Sequence, residues 1–330
     1  MQWVQRQLRP WLFLRILIAV MLAILLGWLV ARGINWPELG SLIYQFPGGQ
    51  MLLALGVFLL GIVLRAWRFH VLFVAERIGF IRLFLIQNAG IGLNNVSPVR
   101  VLSEPVQLVL LTRGSGISSG IALATLATEH LMDITVTASL LILGVVFMPE
   151  LRGFSIQLTG AVVLGIVSLL IFFVIVRGME ALPGTKRIPI LGSALASVRT
   201  LQHSPIRLFL SLLGTLGHWA AVGASGWIIA RGLEIDVGVG VVVVLFLGSV
   251  FFVSAVPSLP GGAITFEAAV VYTMSLFDVE NEPALAFALL MHIIMFAPSM
   301  LIAALVLPRE GIKVFRRTGP ISVEDGEPHV

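Results

Sequence analysis

Apolar residues run through this chain in long blocks, and block length sorts them into two kinds. Six blocks, at about 11–31, 50–73, 117–148, 156–176, 207–230 and 283–307, are long enough for a membrane-crossing helix, which needs ~20 apolar residues. Segments 83–97 and 103–111 flank Pro98 and are each too short to cross. In a second place, 237–256 reaches spanning length, but 264–277, beyond Pro260, falls short. The pattern predicts an all-α polytopic membrane protein. It has about six full transmembrane helices plus two helical hairpins, re-entrant or short and paired, each broken at a proline.

The two broken places are versions of one another. One reads NNVSPVRVLSEP, Asn94 to Pro105; the other reads VPSLPGGAITFE, Val256 to Glu267. Glu104 follows Pro98 and Glu267 follows Pro260 at nearly the same distance. Each leads into a matching helix, ALATLATEHLMD from Ala122 and ALAFALLMHIIM from Ala284, which places His130 on His292. The repeats cover about 83–148 and 237–307 within one membrane domain, 1–307, followed by a tail, 308–330, predicted disordered. Asn95 and Pro98 mark the first hairpin tip, where Asn94 and Asn95 can satisfy freed backbone groups. Pro260, Gly261 and Gly262 mark the second, where the glycines allow close backbone approach. A helix-broken, repeated, charged element inside apolar sequence is the pattern of a transport site between repeats.

Charge orients the two copies. Place the N-terminus in the cytoplasm and let each hairpin return to the side it entered from. Of the 21 Lys and Arg residues, Arg32, Arg152 and Arg231 then lie outside, Arg100 lies in the first hairpin, and the rest lie inside. The first hairpin opens to the cytoplasm between Arg82 and Arg113. The second opens outward among Glu234, Asp236, Asp278, Glu280 and Glu282. The copies are therefore inverted, and both termini are expected in the cytoplasm. Residues 1–31 are expected to stay as a first helix, because no small-residue cleavage site ends their apolar stretch.

Composition narrows the chemistry. Charged residues make up 12% of the chain, against ~25% in soluble domains, and mean hydropathy is +1.02. The absence of cysteine excludes disulfides and thiolate chemistry. No phosphate loop, Ser–His–Asp set or nucleotide fingerprint is present, so neither an enzyme nor a cofactor is expected. A net charge of +4 in such a chain points to anionic lipid, not nucleic acid. Of 17 acidic residues, all but Glu104, Glu129, Asp133 and Glu267 fall on loops or tails. A carboxylate at the bilayer centre costs roughly 2.5–3.5 kcal/mol, so these four should be paired, protonated or wet.

Glu129 and Asp133 share one helix face, which suits a proton relay or a cation; the alternative is that Glu129 pairs with Arg113 or Arg100. Arg65, Trp67 and Arg68 end the second crossing and read as an interfacial anchor. His218 reads as a buried, satisfied histidine. His130 and His292 are too few to hold a metal, and no metal site is expected.

These elements resemble the lysylphosphatidylglycerol synthase transmembrane-region, or flippase-like, family from about Arg65 to Leu307. The resemblance rests on Arg65-Ala66-Trp67-Arg68, on Asn95, Pro98, Arg100 and Glu104, on Glu129 and Asp133, and on Pro260, Gly261, Gly262 and Glu267. It implies a protein that moves a phospholipid or lipid-linked head group between leaflets of a prokaryotic inner membrane. It does not imply lipid aminoacylation, because no soluble transferase domain follows the tail. The chain departs from the family pattern at Ser103, Gln107, His130, Ile264 and, at the family's last-helix arginine, His292. Arg100, His130 and His292 would contact a phosphate, Glu104 and Glu267 would hold the tips or a cationic head group, and Glu129 with Asp133 would relay protons. Protonation of His130 and His292 is a further candidate switch. The alternative is a non-transporting accessory subunit that partners an envelope glycolipid or lipid-modification enzyme.

Overall fold

A computed structural model describes residues 2–74, 76–97, 102–148, 189–256 and 258–310, with isolated positions between 163 and 174. Pro98, Arg100, most of the predicted crossing at 156–176 and the tail beyond 310 lie outside the described residues.

Every described element is helical: α1 Gln2–Ala31, α2 Trp36–Gln45, α3 Gly48–Leu72, α4 Phe80–Val96, α5 Ser103–Ser115, α6 Ser119–Phe147, α7 Pro189–Gln202, α8 Pro205–Gly232, α9 Val239–Ala255, α10 Thr265–Ser275 and α11 Asn281–Arg309. The chain is an all-α polytopic membrane protein. Among the described residues α3, α6, α8 and α11 are each long and apolar enough to cross a bilayer. The first predicted crossing does not end cleanly. After Gly33 and Ile34 the chain turns by 89° into α2, which the Trp36-Pro37 start can begin without losing a helical hydrogen bond.

The short paired helices predicted from the prolines are present. α4 has 17 residues and α5 has 13; α9 has 17 and α10 has 11. At ~1.5 Å per residue each falls short of the ~30 Å hydrocarbon core. In the second copy the break is a 3-10 turn, Pro260–Gly262, in which Gly261 has φ 71° and Gly262 φ 76°.

The order of helices matches over a longer stretch than the sequence motifs do. α3-α4-α5-α6 is matched element for element by α8-α9-α10-α11, and the last members, α6 and α11, both have 29 residues. α3 and α8 form the largest helix contact and run antiparallel. Ser225 Oγ donates to the Ala54 carbonyl (2.8 Å), His218 Nδ1–H to the Gly61 carbonyl (2.9 Å), and Thr215 meets Arg68. The helices that open the two series, α3 and α8, thus run in opposite directions.

Around this pair the copies exchange partners. α4 runs antiparallel to α11, with Arg82 beside Glu310 and Asn95 beside Ser299. α9 runs antiparallel to α6, with Val244 against Gly144 and Gly240 against Met148. Without a hydrophobic drive inside lipid, such contacts depend on small residues that let backbones approach. Gly92 is the extreme case: a Cβ there would stand 2.0 Å from the Ser299 carbonyl oxygen.

Candidate functional site

Two polar clusters sit inside the helices. The first is built on Arg68, whose side chain is 0% exposed. Ala54, Gly61 and Arg68 recur every seven residues, so they share the face of α3 that meets α8. Arg68 Nη2 donates to Glu129 Oε1 (2.6 Å), while Nη1 donates to Asp133 Oδ1 (2.8 Å) and Thr215 Oγ1 (2.9 Å). Gln87, from α4, donates a further bond to Glu129 Oε1 (3.2 Å). One guanidinium thus holds two carboxylates that α6 projects from a single face.

This arrangement corrects the reading of Arg68 as an interfacial anchor. The residue sits in the protein interior, because a carboxylate pair on α6 and a hydroxyl on α8 compensate its desolvation. Glu129 pairs with Arg68; the alternative partner Arg100 lies outside the described residues. Arg65 and Trp67 are half-buried beside it, and Trp67 packs over Gly214.

The second cluster lies where the second helix break meets the end of α4. The Gly261 turn, the last turn of α4 and the middle of α11 converge. A Cβ on Gly261 would lie 3.5 Å from His292 Nε2 and 3.7 Å from the Asn95 carbonyl oxygen. His292 Nδ1 is 2.6 Å from Glu267 Oε1. Phe266 meets the imidazole edge-on at 5.4 Å and Phe296 packs tilted at 4.2 Å, which fixes the ring. Glu267 Oε2 is buried, with no hydrogen-bond partner among the described residues. Asn94 Oδ1 accepts from the backbone N–H of Leu102 across the first break (3.3 Å), whereas Asn95 Nδ2 donates to the Ser299 hydroxyl (3.2 Å) and not to a backbone group.

The structure therefore divides the predicted site residues. Glu129 and Asp133 join Arg68; Glu267 and His292 join Asn95, Pro260, Gly261 and Gly262. Glu104 stands exposed in the first turn of α5, although its repeat equivalent, Glu267, is tucked inward. His130 is also exposed, because it follows Glu129 by ~100° around α6 and Glu129 faces inward. The protein interior therefore encloses neither Glu104 nor His130. Thr215 and Gln87 were not anticipated as partners; the seven-residue spacing of Ala54, Gly61 and Arg68 was the available signal for the buried arginine.

The sequence model of the family described as Lysylphosphatidylglycerol synthase TM region matches residues 13–303. The chain belongs to that family. It is also 25% identical over 301 residues to a "UPF0104 membrane protein" of Methanothermobacter thermautotrophicus, an alignment covering 85% of this chain and 79% of the relative.

Against the family pattern the departures acquire structural meaning. Ser103 and Gln107 are buried and bonded to each other (2.8 Å) under Gly90. Ile264 replaces the third glycine of the second motif, yet keeps a glycine-like backbone at φ 69° and ψ −43°. A β-branched residue there is strained. Its side chain rests against Gly27 of α1.

Proposed function

We propose that this chain is a translocase that moves a phospholipid or lipid-linked head group between leaflets, by alternating access between its inverted copies. The observation that carries the reading is the meeting of the Gly261 turn with the last turn of α4 beside Glu267 and His292. Irregular backbone and ionisable groups are tolerated at membrane depth where they line a pathway or are buried in protein. Inverted copies give such a site two equivalent ways of opening. On this reading the protein is not an enzyme, lies in a prokaryotic inner membrane with both termini cytoplasmic, and has a membrane lipid as its ligand. Arg68, Glu129 and Asp133 are the ionic tie that holds α3, α6 and α8 in register beside that pathway.

The test is reconstitution into vesicles carrying NBD-labelled phosphatidylglycerol, phosphatidylethanolamine or polyprenyl phosphate, with dithionite bleaching to score movement between leaflets. At least one lipid should move faster than in empty vesicles, and Glu267→Gln should lose that movement. Rates equal to those of empty vesicles for all three lipids refute the proposal.

A further inference from the structure

We infer that the Glu267–His292 dyad is a proton-binding site where the Gly261 turn meets the last turn of α4, and that the proton it carries is the coupling ion. The inference rests on the translocase reading for its role, but the site stands on its own geometry. With Glu267 ionised, Oε1 accepts the Nδ1–H of His292. The free position on the ring is then Nε2, which faces the Gly261 turn. One proton added at Nε2 takes the dyad from a net charge of −1 to 0, whether it is written as carboxylate with imidazolium or as carboxylic acid with neutral imidazole.

The surroundings favour a proton over other ligands. A hard divalent cation takes about six or more oxygens. Here the described residues offer one unpartnered carboxylate oxygen, Glu267 Oε2, and the Asn95 carbonyl near the turn, beside two phenyl rings. Among the described residues, the one ion pair that either group makes is with the other. α4 contributes Asn95, the turn contributes Gly261, α10 contributes Phe266 besides Glu267, and α11 contributes Phe296 and Ser299.

The His292 side chain is 19% exposed and that of Glu267 12%, so the ring is the more open member of the dyad. A dyad that is neutral when loaded can be enclosed at membrane depth far more readily than one left at −1. An inverted pair of access routes would then release the proton on the side opposite its entry.

Two measurements on the full-length protein test the inference. Ring-labelled histidine NMR in detergent, assigned with His292→Asn, should show the His292 ring taking up a second proton as the pH is lowered. Its Nδ1–H signal should lose the mark of a carboxylate hydrogen bond in Glu267→Gln. A His292 ring that takes up no second proton, or an Nδ1–H signal unmoved by Glu267→Gln, overturns the site. In the vesicle assay, wild-type lipid movement should speed up or slow down with the sign of an imposed pH gradient, and collapse of the gradient by nigericin should abolish the difference. Lipid movement indifferent to the gradient overturns the coupling and leaves the translocase reading standing. No movement of any lipid overturns the translocase reading, and the coupling role with it.

Discussion

Replacing Arg68 by Met should be among the most damaging single changes in this chain. The cluster holds Arg68 and two carboxylates, and Arg65, half-buried beside it, acts on Asp133 as a second cation, so the four groups sum to zero. Arg68→Met takes that sum to −1 in the protein interior and removes three hydrogen bonds, of 2.6, 2.8 and 2.9 Å. Stranding the partner of a buried ion pair costs about 3–5 kcal/mol. The lower half of that range applies, because the Asp133 side chain is 26% exposed and can turn toward water or a head group. Asp133→Asn keeps the Arg68–Glu129 pair and a hydrogen-bonding amide, and should cost only about 1 kcal/mol.

The triple variant Arg68→Met/Glu129→Gln/Asp133→Asn removes all three charges and should recover most of the loss, as a neutral replacement of a buried ion network often does. Unfolding in mixed micelles against SDS mole fraction, followed by circular dichroism, reads all four proteins. If Arg68→Met costs less than about 1 kcal/mol, or the triple variant is no more stable than Arg68→Met, the cluster does not carry the burden assigned to it.

Other changes should give smaller and differently signed results in the same assay. Gly92→Ala must move α4 off α11, since its Cβ would sit 2.0 Å from the Ser299 oxygen, and should cost about 1–3 kcal/mol; a neutral result would deny that close approach. Ile264→Gly should gain about 1 kcal/mol, because release of ~1–3 kcal/mol of backbone strain outweighs the ~0.5–1 kcal/mol entropy penalty of glycine; a loss would show that packing on Gly27 dominates. Ser225→Ala removes one bond to Ala54 and should cost only about 0.6 kcal/mol, typical of a side-chain bond between membrane helices. Topology is open to single-cysteine labelling in a background with no cysteine. Position 113 should react only from the cytoplasm and position 280 only from outside, and the reverse pattern would break the inverted assignment.

Sequence made the broken helices visible because proline and glycine act locally: Pro260, Gly261 and Gly262 end a helix whatever surrounds them. The inward face of α6 was also readable, since Glu129 and Asp133 lie four apart. That same spacing puts His130 on another face, and alignment with His292 hid this. Arg68 was misplaced for a different reason. An arginine near a helix end resembles an anchor until its partners are known, and those partners lie 61 and 65 residues away in sequence. Membership of α3 and α8 in the repeat was equally hidden, because their match lies in length and direction and not in any shared motif.

The contact of Gly92 with Ser299 has a mechanical consequence. α4 belongs to the first copy and α11 to the second, yet their backbones touch with no room for a methyl group between them. α9 and α6 are braced across the copies in the same sense through Val244 and Gly144. The stiff pieces of this protein are therefore hybrids, each made of helices from both halves of the chain. Any rocking motion must bend where a hybrid joins the central α3–α8 pair, at the connections after Leu72 and after Gly232. The two halves written in the sequence are not the two halves that would move.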